Sequence, residues 1–317
     1  MYLSSGELPD LKTHGNAVLL FPNPTEMKPI LLAAATLFLA SSFMSCAKER
    51  IDGCTNPYAL NFNPKASDED GSCWVPTSEK KVLIGDFTAT WCGPCGDWGA
   101  PAFEGAIHLT EGLSEPIALH TSDEMANPVS DEFHTYYGIT GIPTLKVWNA
   151  DNDFTDSLGM AAAVTAEMEE PLADAGALVV MTDLGNSYEF GVSFAPFTTI
   201  TGDYFVAVYI MQNGLVFPQN GAGEDGGMDD DFIHNHTLRT SATGTMFGDQ
   251  FVYGTAVSGD LFTKMYTVTK DPNWVHEDMY ALAVVWKYAK DKDSGEFLYE
   301  VVNVSNSQDV SLTEPTQ

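Results

Sequence analysis

Residues 81–95 read KVLIGDFTATWCGPC, an apolar run that leads directly into two cysteines separated by two residues. Apolar and β-branched side chains dominate the first nine residues, which predicts a buried strand with one acid, Asp86, inside it. After the second cysteine the apolar residues recur near the helical period, which predicts a helix. A strand that delivers a CxxC pair to the start of a helix is the arrangement that dithiol redox chemistry requires.

The two thiols are expected to play different parts. Cys92 would lie at the helix N-terminus, where unpaired backbone N–H groups favour the thiolate, and Cys95 would lie one turn inside, within bonding distance. Pro94 suits the first helical turn, which has no use for its missing N–H. A purely structural disulfide and half of a zinc site are the alternatives, but the sequence has no second CxxC to complete a four-thiolate site.

The motif resembles the thioredoxin signature, and the likeness extends beyond the cysteines. Trp91 precedes the pair, and Asp86 lies six residues before Cys92, where that family has a buried acid that relays a proton for the inner thiol. Apolar neighbours predict a raised pKa for the Asp86 carboxyl, the property that such a base needs. The segment TGIPT at 140–144 is similar to the family's cis-proline loop, in which the proline packs against the dithiol.

This resemblance covers about residues 80–175 and implies an α/β thioredoxin-like domain with a central mixed sheet flanked by helices. It implies these site residues: catalytic Cys92, Cys95, Asp86 and Pro143, and substrate-positioning Trp91 and Ile142. The chain departs from the family at Gly96, where a basic residue is usual, and at Asp97. An acid near the helix N-terminus works against a thiolate, so Cys92 is expected to be less acidic than in cytosolic relatives.

The N-terminal region has the pattern of an export signal. Met27 and Lys28 precede an uncharged run at 30–44, which is shorter than the about 20 residues of a membrane-spanning helix. Ser45-Cys46 follows the run and resembles the cleavage box of bacterial lipoproteins, which implies acylation of Cys46. An ordinary signal peptide cut nearby is the alternative.

Cys54 and Cys73 flank a polar loop rich in Asn, Asp, Gly and Pro, the residue types that stabilise turns. So few apolar residues cannot build a core, and a structural disulfide between the two cysteines would contribute about 3 kcal/mol instead. The loop resembles a short cysteine-flanked repeat of secreted proteins from some Gram-negative bacteria. Its side-chain oxygens would suit Ca²⁺, but their spacing is not that of an EF-hand, and a structural spacer is the favoured interpretation.

After residue 171 the pattern changes from helical to alternating. Apolar residues alternate with polar or small ones in six runs: 188–194, 203–212, 250–258, 262–269, 280–288 and 296–304. About eight short strands joined by Gly, Asp and Asn turns predict an all-β antiparallel sandwich.

An acidic loop at 223–231 leads into His234-Asn235-His236. On an extended strand the two histidines would share a face and converge with a carboxylate on a metal. An exposed acidic turn before an edge strand is the favoured alternative, and we predict no metal site.

These features predict five segments: an upstream extension from a start codon assigned too early (1–26), a lipoprotein signal peptide (27–45), a disulfide-closed polar linker (46–79), a thioredoxin-like domain (80–176) and a β-sandwich domain (177–317). Together with HNHTLR at 234–239, they resemble the outer-membrane lipoproteins related to outer membrane protein twenty-eight. That resemblance implies a cell-envelope location, on the periplasmic face or the cell surface, with membrane attachment through a lipid anchor.

The formal net charge of −30 at pH 7 argues against nucleic acid as a partner, because a phosphate backbone requires clustered Lys and Arg. The predicted function is thiol–disulfide exchange on protein substrates in the cell envelope, with no cofactor beyond the two cysteines. A surface binding module that keeps its disulfide oxidised is the first alternative. A reductant dedicated to cytochrome maturation is the second.

Overall fold

The structure, a computed structural model, describes residues 50–290 and 295–309. The predicted upstream extension, the predicted signal peptide and Cys46 lie outside these residues. Within the described ranges, no helix has the length and apolar character needed to cross a membrane.

The first elements alternate strand and helix, as expected for a thioredoxin-like fold. Strand β1 leads into a π-helical turn (Cys95–Gly99) that continues as helix α1. The bounds are β1 (Val82–Thr88), α1 (Ala100–Leu109), β2 (Ser114–His120), α2 (Pro128–Tyr136), β3 (Thr144–Val147), β4 (Asp153–Phe154) and α3 (Ser157–Glu167). Strand β1 pairs parallel with β2 and antiparallel with β3, which gives the mixed sheet.

Side chains of β1 alternate between the two faces of this sheet. Leu83 and Phe87 pack with α2, whereas Val82 and Ile84 pack with α1 and α3. Asp86 is two residues after Ile84, so it lies on the same face of the sheet as Val82 and Ile84, which α1 covers. This placement buries the carboxylate beneath the helix that follows the two cysteines.

The C-terminal half forms strands, and eight of those described have five residues or more. They are β5 (Ala175–Asp183), β6 (Ser187–Pro196), β7 (Ile200–Gln212), β12 (Thr237–Ser241), β13 (Asp249–Ala256), β14 (Phe262–Thr269), β15 (Met279–Lys290) and β16 (Phe297–Asn306). Four strands of two residues lie between β7 and β12: β8 (Leu215–Val216), β9 (Gln219–Asn220), β10 (Met228–Asp229) and β11 (Ile233–His234).

Two sheets pack face to face in this half, which confirms the predicted sandwich. The smaller sheet has the order β14-β6-β5, and its strands are antiparallel. Inward residues of β6, among them Phe190 and Phe194, share one core with Val208 of β7 and Val285 of β15.

The larger sheet runs through both halves of the chain. Its nine strands include the path β16-β15-β7-β12-β2-β1-β3-β4, with β13 also paired to β7. The junction lies where β12 pairs parallel with β2, and the Ala118 N–H donates to the His236 carbonyl at 2.7 Å. The domain boundary at residue 176 stays a prediction. In the structure, strands from both sides of this boundary belong to one continuous sheet.

Cys54 and Cys73 form a disulfide with an S–S distance of 1.99 Å. Glu69 accepts hydrogen bonds from the N–H and the hydroxyl of Thr55, both at 2.8 Å, and Asp70 accepts one from the Ser72 N–H. Among the described residues, the one cluster of three potential metal-binding side chains is Cys54, Glu69 and Cys73, whose sulfur atoms are already bonded to each other.

Candidate active site

The dithiol lies at the start of the redox helix in its oxidised form. Cys92 and Cys95 are joined by an S–S bond of 2.03 Å, and their side chains are 4% and 1% exposed. The Cys95 N–H donates to Cys92 Sγ at 3.2 Å. Because backbone N–H groups at a helix start carry partial positive charge, this contact favours a thiolate on Cys92 once the disulfide is reduced.

The loop before β3 packs against the dithiol. The Ile142–Pro143 peptide bond is cis, and the Ile142 carbonyl oxygen lies 3.6 Å from Cys92 Sγ. Pro143 lies against the redox helix at Gly99, where a Cβ atom would be only 2.7 Å from Pro143 Cβ. The structure therefore brings together Cys92, Cys95, Ile142 and Pro143.

Near this centre, Trp91 is exposed to solvent and a groove opens at the surface. Trp91 is 54% exposed beside the cysteines, and its indole N–H donates to the Thr121 carbonyl at 3.4 Å. A groove of about 470 Å³ is lined by Pro94, Trp98 and the loop that contains Pro143.

Asp86 lies beside Ala100 and Phe103 of α1 and does not line the groove. Its side chain is 3% exposed, and Oδ1 has no hydrogen-bond partner among the described residues. Burial raises the pKa of the Asp86 carboxyl to about 7. A carboxyl with that pKa can take up and release a proton near neutral pH.

A cavity of about 40 Å³ adjoins Asp86, enough for about one water molecule. Its lining includes Thr88 and His120 from the strands, and Gln219 and His234 from the C-terminal half. The rings of His120 and His234 lie 5.2 Å apart, edge to face.

His234 and His236 do not converge as the metal hypothesis required. Strand β11 ends at His234, and His236 has a left-handed backbone with φ 54°. His234 bonds the Phe217 carbonyl at 3.2 Å, whereas His236 pairs with the Tyr280 hydroxyl at 3.0 Å. Burial lowers the pKa of each histidine to about 4.

Asp123 ties the cysteine loop to His120. Its Oδ2 accepts from the Thr90 N–H at 2.9 Å and from His120 Nδ1 at 2.7 Å. Burial alone would raise the pKa of the Asp123 carboxyl, but the hydrogen bond from His120 holds this pKa below its usual value. Sequence reasoning missed both residues, because neither belongs to the thioredoxin motifs.

Strand β9 also reaches the dithiol loop, although it lies in the other half of the chain. Gln219 Nε2 donates to the Cys92 carbonyl at 3.1 Å and to the Ala89 carbonyl at 3.3 Å. The Asn220 N–H donates to the Thr90 carbonyl at 2.9 Å, and Asn220 Nδ2 donates to the Trp91 carbonyl at 3.1 Å. The sequence offers an Asn-Gly turn signal here but no pattern that links it to the cysteines.

This approach explains why glycine follows Cys95. A Cβ atom on Gly96 would lie 2.3 Å from the Asn220 carbonyl oxygen and 2.7 Å from the Ala222 nitrogen. Real Cβ atoms do not come so close to backbone, so a lysine or arginine would displace β9. The departure from the family at this position is therefore steric.

Comparison with known proteins agrees with this geometry. The thioredoxin family model matches residues 69–170. The chain is 37% identical over 89 residues to a thioredoxin of Synechocystis sp., which covers 28% of this chain and 76% of that protein. It is 40% identical over 74 residues to a thioredoxin of Streptomyces clavuligerus, which covers 23% of this chain and 61% of that protein.

Among solved structures, HBP35 of Porphyromonas gingivalis superimposes with a TM-score of 0.59 at 18% identity. The superposition covers 77% of this chain and 80% of that one, so the likeness in fold extends beyond the thioredoxin segment. The identity of 37% across 76% of a thioredoxin is sufficient to assign the family. This chain belongs to the thioredoxin family.

Proposed function

We propose that the protein is a thiol–disulfide oxidoreductase that acts on protein disulfides. The observation that carries the proposal is the hydrogen bond from the Cys95 N–H to Cys92 Sγ at 3.2 Å, on a sulfur that also lies 3.6 Å from the Ile142 carbonyl oxygen. A purely structural disulfide needs neither an adjacent groove nor a buried acid with its pKa near 7.

The first step is attack by the Cys92 thiolate on a substrate disulfide. A bond forms between Cys92 Sγ and one substrate sulfur, and the substrate S–S bond breaks to release the other sulfur as a thiolate. Cys92 is the attacking residue because its sulfur receives the N–H at the helix start and lies beside Ile142.

The second step resolves this mixed disulfide. Cys95 loses its proton to Asp86 and attacks Cys92 Sγ, which forms the Cys92–Cys95 bond and releases the second substrate thiolate. Two electrons pass from the dithiol to the substrate. The same steps in reverse oxidise a substrate dithiol, and the relative reduction potentials set the direction.

We further propose export and lipid anchoring through Cys46, with an outer-membrane location. The apolar run before Ser45-Cys46 supports an export signal, and the Cys54–Cys73 disulfide suits an oxidising compartment. In cells supplied with labelled fatty acid, the wild type should carry the label and Cys46→Ala should not. A soluble, unlabelled wild type would mean an ordinary signal peptide.

Trapping of mixed disulfides tests the redox function itself. Cys95→Ser should accumulate disulfide-linked client proteins, because its first step proceeds and its second cannot. Cys92→Ser is the matched control and should trap none. Equal trapping by the two variants would refute the roles of Cys92 as the attacking and Cys95 as the resolving cysteine. Absence of trapping by both would favour a binding module.

A further inference from the structure

We propose that Gln219 and Asn220 are positioning residues of the redox centre, which hold the loop before Cys92 in the shape that stabilises its thiolate. The inference rests on the proposed function, since it concerns the reactivity of the same dithiol. It assigns a part of the redox site to strand β9, in the C-terminal half of the chain.

Four consecutive backbone carbonyls of the dithiol loop are bonded by these two residues. The carbonyls belong to Ala89, Thr90, Trp91 and Cys92, and the donors are the Gln219 amide, the Asn220 amide and the Asn220 N–H. Gln219 is only 2% exposed, so bulk solvent does not compete for these bonds. Replacing Gln219 by an apolar residue would remove two of the four hydrogen bonds that hold the loop, from a buried position, which is costly.

Strand β9 is itself held in place, so its bonds to the loop are not a chance contact. Gln219 and Asn220 pair with β10, and the Gly221 N–H donates to the Gly227 carbonyl at 2.9 Å. The backbones come so near that a Cβ on Gly221 would lie 1.9 Å from the Gly93 carbonyl oxygen. Glycine at 221, with φ 86°, permits this approach.

The consequence for chemistry follows from the hydrogen bond at Cys92. The Cys95 N–H reaches Cys92 Sγ at 3.2 Å only while the loop and the first helical turn keep this shape. Since Gly96 supplies no positive charge, the thiolate depends more heavily on this backbone N–H dipole.

The test measures the pKa of Cys92 directly. In the reduced full chain, the rate of alkylation of Cys92 is followed against pH, with the site identified by peptide mapping. Gln219→Met keeps the length of the side chain and removes both donors, and it should raise the pKa of Cys92 by about one unit. An unchanged pKa in the folded variant would overturn the proposal.

Two further variants keep the test decisive. Asn303→Leu removes another buried amide, which bonds the Lys81 N–H and the Glu79 carbonyl far from the cysteines, and it should leave the Cys92 pKa unchanged. If Gln219→Met fails to fold, Asn220→Ala removes only the donor to Trp91 and should give a smaller rise. An unchanged pKa in Asn220→Ala would then overturn the proposal.

Exchange activity is measured separately on the same proteins. A shifted Cys92 pKa in a chain that reduces no disulfide would refute the oxidoreductase function and leave the positioning role standing. Normal turnover by the wild type, with an unshifted Cys92 pKa in the folded variants, would support the oxidoreductase function and refute the positioning role.

Discussion

Replacing Asp86 by asparagine should remove a pH-dependent cost to the stability of the protein. Burial raises the pKa of this carboxyl to about 7, whereas an aspartate in an unfolded chain titrates near ~3.9. The difference of about three units corresponds to about 4 kcal/mol. Because the folded protein has the higher pKa, the cost is small near pH 4, grows as the pH rises through 7 and is complete above it.

The free energy of unfolding in urea, measured on the oxidised protein at several pH values, gives this cost. The advantage of Asp86→Asn over the wild type should increase by about 4 kcal/mol between pH 4 and pH 8. Thr88→Val, on the same face of β1 and beside the same cavity, removes no titrating group and should show an offset that is independent of pH. Parallel curves for the wild type and Asp86→Asn would refute the raised pKa.

The same variant separates catalysis from folding. With a preformed mixed disulfide on Cys92, single-turnover resolution by the wild type should accelerate as the pH rises through the Asp86 pKa. Asp86→Asn should be slower by about 100-fold above pH 7, the lower end of the range for general-base catalysis. Superimposable rate profiles would mean that Asp86 is a core residue without a part in proton transfer.

Three other changes have defined outcomes. Gly96→Lys should lose at least about 2 kcal/mol of unfolding free energy in urea, because its Cβ overlaps the Asn220 carbonyl; an unchanged midpoint would contradict the steric account. Burial lowers the pKa of His234 to about 4, whereas a histidine in the unfolded chain titrates near ~6.5. As the pH falls from ~6.5 toward 4, the unfolded chain therefore takes up a proton that the folded protein does not, and the free energy of unfolding decreases by up to about 3 kcal/mol. His234→Gln should therefore flatten the acid limb of thermal stability, and an identical acid limb would argue against a buried neutral histidine. The double variant Cys54→Ser/Cys73→Ser should lose about 3 kcal/mol while the Cys92 alkylation rate stays unchanged, and altered alkylation would show that the loop reaches the redox centre.

The thioredoxin-like core was predictable because its signals are local. The apolar strand, the CxxC at a helix start and the proline loop each occupy a few consecutive residues, and their chemistry depends on that short spacing. The alternating runs likewise identified six of the eight longer C-terminal strands that the structure describes, and β5 and β12 were not identified.

The contacts between the two halves were not predictable in the same way. Gln219 and Cys92 are 127 residues apart, and a hydrogen bond to a backbone carbonyl imposes no pattern on the residue that offers the carbonyl. Pairing of β12 with β2 is similarly a backbone interaction between distant segments. The metal alternative for His234 and His236 required extended backbone, and His236 instead adopts a left-handed conformation.

The central claim is that Cys92 and Cys95 turn over on protein disulfides. Reduction of insulin disulfides with dithiothreitol as electron donor measures it directly, with wild type and Cys92→Ser side by side. The wild type should accelerate the reaction above the rate of dithiothreitol alone, while Cys92→Ser should match the uncatalysed rate. A wild-type rate equal to that of Cys92→Ser would contradict the assignment of this dithiol as a redox catalyst.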